Sequence, residues 1–293
     1  MKEEAVADFV GRFARNPEGG VQGEPQSCRA VMSKKRLVVA GDGDERITVP
    51  LSRVVDVVVG NVPPNLRDLF DATVTVGYKT DEGTVETVLI EGDDSTMSKF
   101  QTVLFKCLLN GTKALVKHPA QLGGRVTDSP VRKAKISIES KQVRFKTSGD
   151  NFTIDITNVI DFERTERAPD GESRPTLVVK HADDGQVATS LVSPASSRKL
   201  NLLGRYFRIE YSELLNEVGQ IDLSESEKRV LVTIYATGGD IDFKNVLDGS
   251  AAQATNVVNS LREKGLIEEE PTGLSLTSHG QVVVSQRLED VNI

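Results

Sequence analysis

The 293-residue chain has no tryptophan, two cysteines, three histidines and no apolar run long enough to span a membrane. Each shortage excludes a class of protein. Two thiols, Cys28 and Cys107, without a CxxC spacing give neither a disulfide framework nor a thiol-based zinc or redox motif, so both are expected as reduced, buried side chains. The histidines His118, His181 and His279 fall in a connector, a strand and a helix start. That scatter predicts neither a metal site nor a catalytic dyad. No GxSxG, HExxH, Walker loop or GxGxxG occurs. Asp42-Gly-Asp44 lacks the spaced oxygens and closing glutamate of a calcium loop and is expected as a hairpin turn. No cofactor and no metal is expected, and the chain is predicted not to be an enzyme. The opening MKEEAVADFVGRF has no apolar signal region, so a cytoplasmic protein without membrane insertion is expected. The sequons at Asn110 and Asn151 are then coincidental.

What is present is ordinary globular material: 38% hydrophobic, 27% charged and 5% aromatic residues, with a net charge of −7. Length and composition predict two or three domains and protein partners, not nucleic acid or anionic lipid. An internal repeat organises most of the chain. SKKRLVVAGDGDERITVPLSRVVDVVV from Ser33 lies against ESKQVRFKTSGDNFTIDITNVIDFERT from Glu139, with Leu37 on Val143 and Val54-Val55-Asp56 on Val159-Ile160-Asp161. TVTVGYKTDEGTVETVLI from Thr73 parallels PTLVVKHADDGQVATSLV from Pro175. Alternation such as Phe152-Thr153-Ile154-Asp155-Ile156, broken by Gly-Asp and Asp-Gly pairs, predicts half-buried strands and hairpins. Each copy closes in an amphipathic helix, carrying Met97, Phe100, Val103, Leu104, Cys107 and Leu108 in the first and Leu200, Leu203, Phe207 and Tyr211 in the second.

The predicted fold is therefore multidomain α+β. Two tandem PH-like (GRAM-like) modules, 1–118 and 119–218, each end in a helix, and a winged helix-turn-helix domain, 219–293, follows. The residues around 110–130, punctuated by Gly111, Pro119, Gly123, Gly124 and Pro130, are predicted to connect the modules. Asn16 to Gln26 is expected as a surface loop, and Arg164 to Arg174 is equivalent to VPPNLRDLFD of the first copy. In the third region Ser224-Glu-Ser-Glu227 forms a capping box before a helix ended by Gly238-Gly239. A short second helix over Ile241–Leu247 follows, then a third over AAQATNVVNSLREKGLI. A hairpin around Pro271-Thr-Gly273 and a last helix capped by Ser278 complete it. A winged helix suggests DNA binding, but residues 219–293 hold twelve acidic and six basic side chains, a net of −6. Phosphate contacts need cations, so a protein partner is expected and no nucleic acid.

The segments VADFVGRF (6–13), VMSKKRLVVA (31–40), VGNVPPNLRDLFDATVTV (59–76), KFQTVLFKCLLNGT (99–112), VKHPAQLGGRVTDS (116–129), LLGRYFRIEYSELL (202–215), IDLSESEKRVLVTIY (221–235) and the ending QRLEDVNI together resemble the archaeal CheF family of taxis proteins. The resemblance covers essentially the whole chain, and none of the segments is a catalytic signature. It implies a chemotaxis adaptor that binds the response regulator CheY, preferably phosphorylated, and couples it to the archaellum switch components. It supplies no map of binding residues. Candidate protein contacts read from the residues are Gln253, Asn256 and Asn259 on the third helix of the winged domain, with Arg205 and Tyr206 in the second module. Two other readings stay open: a transcriptional regulator acting through the winged helix, and a lipid-binding PH-like protein using Lys34, Lys35 and Arg36 or Arg132, Lys133 and Lys135. Homo-oligomerisation is also left open by the sequence.

Overall fold

The structure is a computed structural model, and it describes residues 3–16, 25–41, 43, 45–60, 72–183, 186–238, 251–270 and 273–285. The expected turn residues Asp42 and Asp44, the loop core 17–24, VPPNLRDLFD, the helix Ile241–Leu247, Pro271 and Thr272, and the ending QRLEDVNI lie outside the described residues. The fold is α+β and strand-rich, with two large antiparallel sheets and few helices. Among the described residues no helix is long and apolar enough to cross a membrane.

The first sheet is built from β1 (Ala5–Arg15), β2 (Gln26–Ser33), β3 (Arg36–Gly41), β4 (Arg46–Pro50), β5 (Val54–Val59), β6 (Thr73–Lys79) and β7 (Val85–Glu91), in the order β4-β3-β2-β1-β7-β6-β5. Strict alternation places Cys28, Ala30, Met32, Leu37, Val39, Ile47 and Val49 inward, as period-two side-chain geometry requires. Gly11 lies where β1 and β7 approach so closely that a Cβ would overlap the Glu91 carbonyl oxygen. Helix α1 (Asp94–Leu109) is capped by Asp93, which accepts from the Thr96 N–H at 2.9 Å. Its buried face is Met97, Phe100, Gln101, Leu104, Phe105, Leu108 and Leu109. Val103 and Cys107, expected on that face, are only half-buried, because the helix turns Phe105 and Leu109 inward in their place.

The second sheet comprises β8 (Lys113–Leu122), β9 (Arg125–Val126), β10 (Arg132–Glu139), β11 (Gln142–Thr147), β12 (Phe152–Asp155), β13 (Val159–Arg167), β14 (Arg174–Asp183) and β15 (Gln186–Pro194). The order is β12-β11-β10-β8-β15-β14-β13, with β9 on β8. The expected connector around 110–130 thus holds a ten-residue strand. Glycines at positive φ, Gly111, Gly123 and Gly124, bound that strand and do not interrupt it. Helix α2 (Ser197–Gly219) follows β15.

The repeat read in the sequence recurs in the strand registers. Met32↔Leu37 and Ala30↔Val39 in the β2–β3 hairpin correspond to Ile138↔Val143 and Ile136↔Phe145 in β10–β11. Both copies have a 3-10 turn, Leu51–Arg53 or Ile156–Asn158, and then a register shift, at Val54/Asp56 or Val159/Asp161. The remaining elements are α3 (Glu225–Thr237), α4 (Ala251–Glu263), the hairpin β16 (Ile267–Glu270) and β17 (Gly273–Leu276), and α5 (Ser278–Val283). Helix α5 is capped by Thr277, which accepts from the Gly280 N–H, and not by Ser278. Contact density groups the chain into two compact units. One holds residues 1–114, 133–151 and 194–209, the other 115–132, 152–193 and 210–293.

Candidate functional site

The α3–α4 region is fastened by one carboxylate. Ser224 ends the preceding coil in an extended conformation and caps α3 with the reciprocal Ser–Glu box expected from the sequence. Glu227 accepts from the Ser224 N–H at 2.7 Å, from the Ser260 hydroxyl of α4 at 2.8 Å and from Lys264 Nζ at 2.6 Å. Lys264 also donates to the Asp222 carbonyl at 2.7 Å. Burial alone would raise the Glu227 pKa, but Lys264 and the serine donors outweigh it and bring the pKa down to about 2. A buried charge is tolerated when its lone pairs are filled in this way. Arg262 pairs with Glu269 at 2.9 Å and ties α4 to β16.

On that frame Gln253, Asn256 and Asn259 are all exposed. Their spacing of three puts them along one side of α4. Val257 and Val258 are half-buried, and Leu261 is fully buried on the inward side. The amides offer both donors and acceptors without charge, beside an acidic hairpin whose Glu268 and Glu269 are exposed.

Arg205 and Tyr206 are neighbours in sequence but serve different ends. Arg205 makes a two-pronged ion pair with Asp56, Nε to Oδ1 at 3.0 Å and Nη2 to Oδ2 at 2.8 Å. Arg198 donates to the Val54 carbonyl at 2.7 Å, and Lys199 donates to the Leu108 carbonyl. Tyr206 is fully buried, stacks at a tilt on Phe105 at 5.2 Å and donates its hydroxyl to the Glu139 carbonyl at 2.8 Å. It anchors α2 and offers no contact surface, which corrects its place among the candidates. Its apolar ring and polar tip explain both the burial and the bond.

Two histidines expected to be scattered meet around one hydroxyl. His118 Nδ1 lies 2.8 Å and His181 Nε2 3.0 Å from Ser190 Oγ. The rings stand 5.7 Å apart, and His118 also stacks on Phe152 at 4.1 Å. Asp183 Oδ2 is 3.6 Å from His118 Nε2. Burial pushes His118 down to about 4, helped by His181 and opposed by Asp183. Burial lowers His181 as well, against Asp183 and the Ala182 carbonyl. A hydroxyl has one proton to give, so Ser190 donates to one imidazole and accepts from the other. Ser190 is fully buried, and the cluster is a satisfied polar core, not an accessible nucleophile. No local motif announces it, because 72 residues separate His118 from Ser190.

Among the described residues no group of three or more histidine, cysteine or acidic side chains is placed to hold a metal. Cys28 is raised to about 11 by burial, and burial raises Cys107 too. Neither is a thiolate near neutrality.

Comparison with known proteins supplies what this geometry alone does not. Residues 5–213 match the family model described as archaeal chemotaxis signal transduction system protein F. The chain is 39% identical over 293 residues to the taxis protein CheF2 of Halobacterium salinarum, covering all of both chains. It is 24% identical over 295 residues to CheF1 of the same organism, covering 98% of each. Among solved structures, a Vav1 complex with an allosteric inhibitor aligns over 41% of this chain and 33% of its own, at 13% identity and a TM-score of 0.26. That overlap is too slight to carry an argument.

Proposed function

Because the chain belongs to the archaeal chemotaxis signal transduction protein F family, and so takes part in archaeal chemotaxis signalling, we propose that it is a non-enzymatic adaptor. In this role it binds the phosphorylated response regulator CheY and couples it to the archaellum switch complex. The observation that carries the proposal is the 39% identity to CheF2 along the entire length of both chains. The repeated registers support two PH-like modules, and α3, α4, the β16–β17 hairpin and α5 support a winged helix used on protein and not on DNA. The working compartment is the cytoplasm, where both partners act.

Titration calorimetry of the purified chain with CheY of the same organism, with and without beryllofluoride as phosphoryl mimic, tests this. Binding that tightens with the mimic is expected. Absence of binding in both states would overturn it. The exposed amides of α4 are proposed as a protein contact: Asn256→Ala with Asn259→Ala is expected to weaken capture of CheY or of the switch components. Undiminished capture of both would remove α4 from the interface.

A further inference from the structure

The two copies of the repeat present the same outward face with different chemistry. In the first copy Val10, Arg29 and Ala40 form one row across β1, β2 and β3, and Asp8 holds the single cation of that row at 2.7 Å. In the second copy the matching row is all lysine. Lys135 of β10 lies across from Lys146 of β11. On the other side of β10 the Gly111 N–H donates to the Ile136 carbonyl at 2.8 Å, and the Ile136 N–H donates to the Thr112 carbonyl at 2.9 Å. With Gly111 at φ 78°, this glycine bulge starts β8 against β10 and brings Lys113 beside Lys135. Lys133 follows two residues along the same face. All four lysines are exposed and belong to the unit that contains residues 1–114 and 133–151. None has an ion-pair or hydrogen-bond partner among the described residues. Strands β8, β10 and β11 together carry seven lysines and arginines and one carboxylate, Glu139, which Arg144 holds at 3.1 Å.

Like charges directly opposite each other across a strand pair are destabilising, and the fold does not require them here. The inward residues Ala134, Ile136, Ile138, Val143 and Phe145 are buried and already fix the register. Lysines also keep sheet edges from pairing with other chains, but β8, β10 and β11 are all interior strands. An external anion relieves the repulsion, and what the face lacks says which kind. The cores of protein interfaces are depleted in lysine and anchored by aromatic or arginine side chains. Here the one aromatic of the hairpin, Phe145, is buried inward and Arg144 is engaged by Glu139. Single-stranded nucleic acid is held by bases stacked on exposed aromatic rings, and a duplex by an element that enters a groove. This sheet face offers neither. An anionic bilayer asks only for several cations close to its surface. That attraction is local, because charges beyond a Debye length are screened, so the chain's net −7 does not cancel it.

We propose that the outward face of β8–β10–β11, built on Lys113, Lys133, Lys135 and Lys146, is a peripheral docking surface for an anionic lipid bilayer. The lysines rest on the headgroups and nothing inserts, consistent with a face that carries cations on a sheet and no exposed aromatic or long apolar side chain. The first copy of the repeat, with Val10, Arg29 and Ala40 in the matching row, does not share the property.

The test floats the full chain with vesicles of equal parts phosphatidylglycerol and phosphatidylcholine, and with vesicles of phosphatidylcholine alone, at low and at high salt. Flotation is expected with the anionic vesicles only, and at low salt only, as screening shortens the reach of exposed charges. Lys133→Gln, Lys135→Gln and Lys146→Gln combined should weaken partitioning about a hundredfold, since each lysine at an anionic surface counts for roughly fivefold. The thermal midpoint of that variant should hold or rise, because the Lys135–Lys146 repulsion is gone. Arginine at the same three positions should keep the binding. Lys34→Gln with Lys35→Gln, which removes two exposed lysines of the first copy, should leave it unchanged. Absence of wild-type flotation, undiminished flotation of the triple glutamine variant, or equal loss in both glutamine variants would overturn the surface. Lysine-dependent retention of a short DNA duplex without flotation would overturn it too and give the face to nucleic acid. The adaptor reading is decided by the CheY titration and stands or falls separately.

Discussion

Glu227 shows how one carboxylate can hold several elements in place. With its pKa depressed to about 2, against about 4.3 in an unfolded chain, the unfolded state binds the proton first as pH falls. Its contribution is therefore fully present above about pH 4.5 and is lost as pH drops toward 2. Lys264→Ala leaves that carboxylate buried without its cation and is expected to lower stability by about 3 kcal/mol, the usual effect of breaking a buried pair from one side. Urea unfolding at pH 7 measures it, and a loss below about 0.5 kcal/mol would mean that the serine donors suffice. The Ser224–Glu227 box was legible in the sequence because capping is a local pattern. Lys264 and Ser260 were not, since their partnership depends on how α4 lies on α3. The same limit applies to His118, His181 and Ser190, which only the strand arrangement brings together. Tyr206 was misplaced because a tyrosine read without its neighbours fits a surface contact as well as an anchor.

Among the elements, hairpins were the most legible. Alternation plus turn residues specify β2–β3 and β10–β11, and the register is fixed because a one-residue slip would turn Leu37 or Val143 outward. Strand β8 was hidden by the glycines whose turns bound it and by Pro119, which lies within it. The buried stripe of α1 was read with Val103 and Cys107 in place of Phe105 and Leu109, because apolar residues on both sides of the helix leave its rotation to packing. For α5, a Cβ on Gly280 would overlap the Leu266 carbonyl oxygen. Gly280→Ala is thus expected to force the helix away from the Leu266 backbone and destabilise by about 2 kcal/mol despite the better helix propensity of alanine. Circular dichroism melts check the sign, and a stabilised variant would show that α5 shifts freely. In the first copy of the repeat, Asp93→Ala removes the cap on α1 and is expected to lower stability by about 1 kcal/mol in the same assay.

At the scale of the whole molecule, all three histidines fall in the unit made of residues 115–132, 152–193 and 210–293. Burial holds His118 near 4 and lowers His181, while an unfolded chain protonates both near 6.5. Between those values the unfolded state binds more protons than the native one, so stability falls as pH drops from about 6.5 and is recovered above it. The other unit carries no imidazole, and its depressed carboxylates, such as Glu86 and Asp93, yield only at lower pH. Acidification from pH 7 to pH 5 is therefore expected to act unevenly. Hydrogen-exchange protection, corrected for intrinsic rates, should fall in β14 and β15 around His181 and Ser190 before it falls in β2 and β3. Replacing His118 and His181 by glutamine removes the titrating groups while keeping a polar partner for Ser190, and should flatten that difference. Equal loss of protection in both units at pH 5 would mean that they open as one cooperative body, and that the buried imidazoles set the acid limit of the entire chain instead of one half of it.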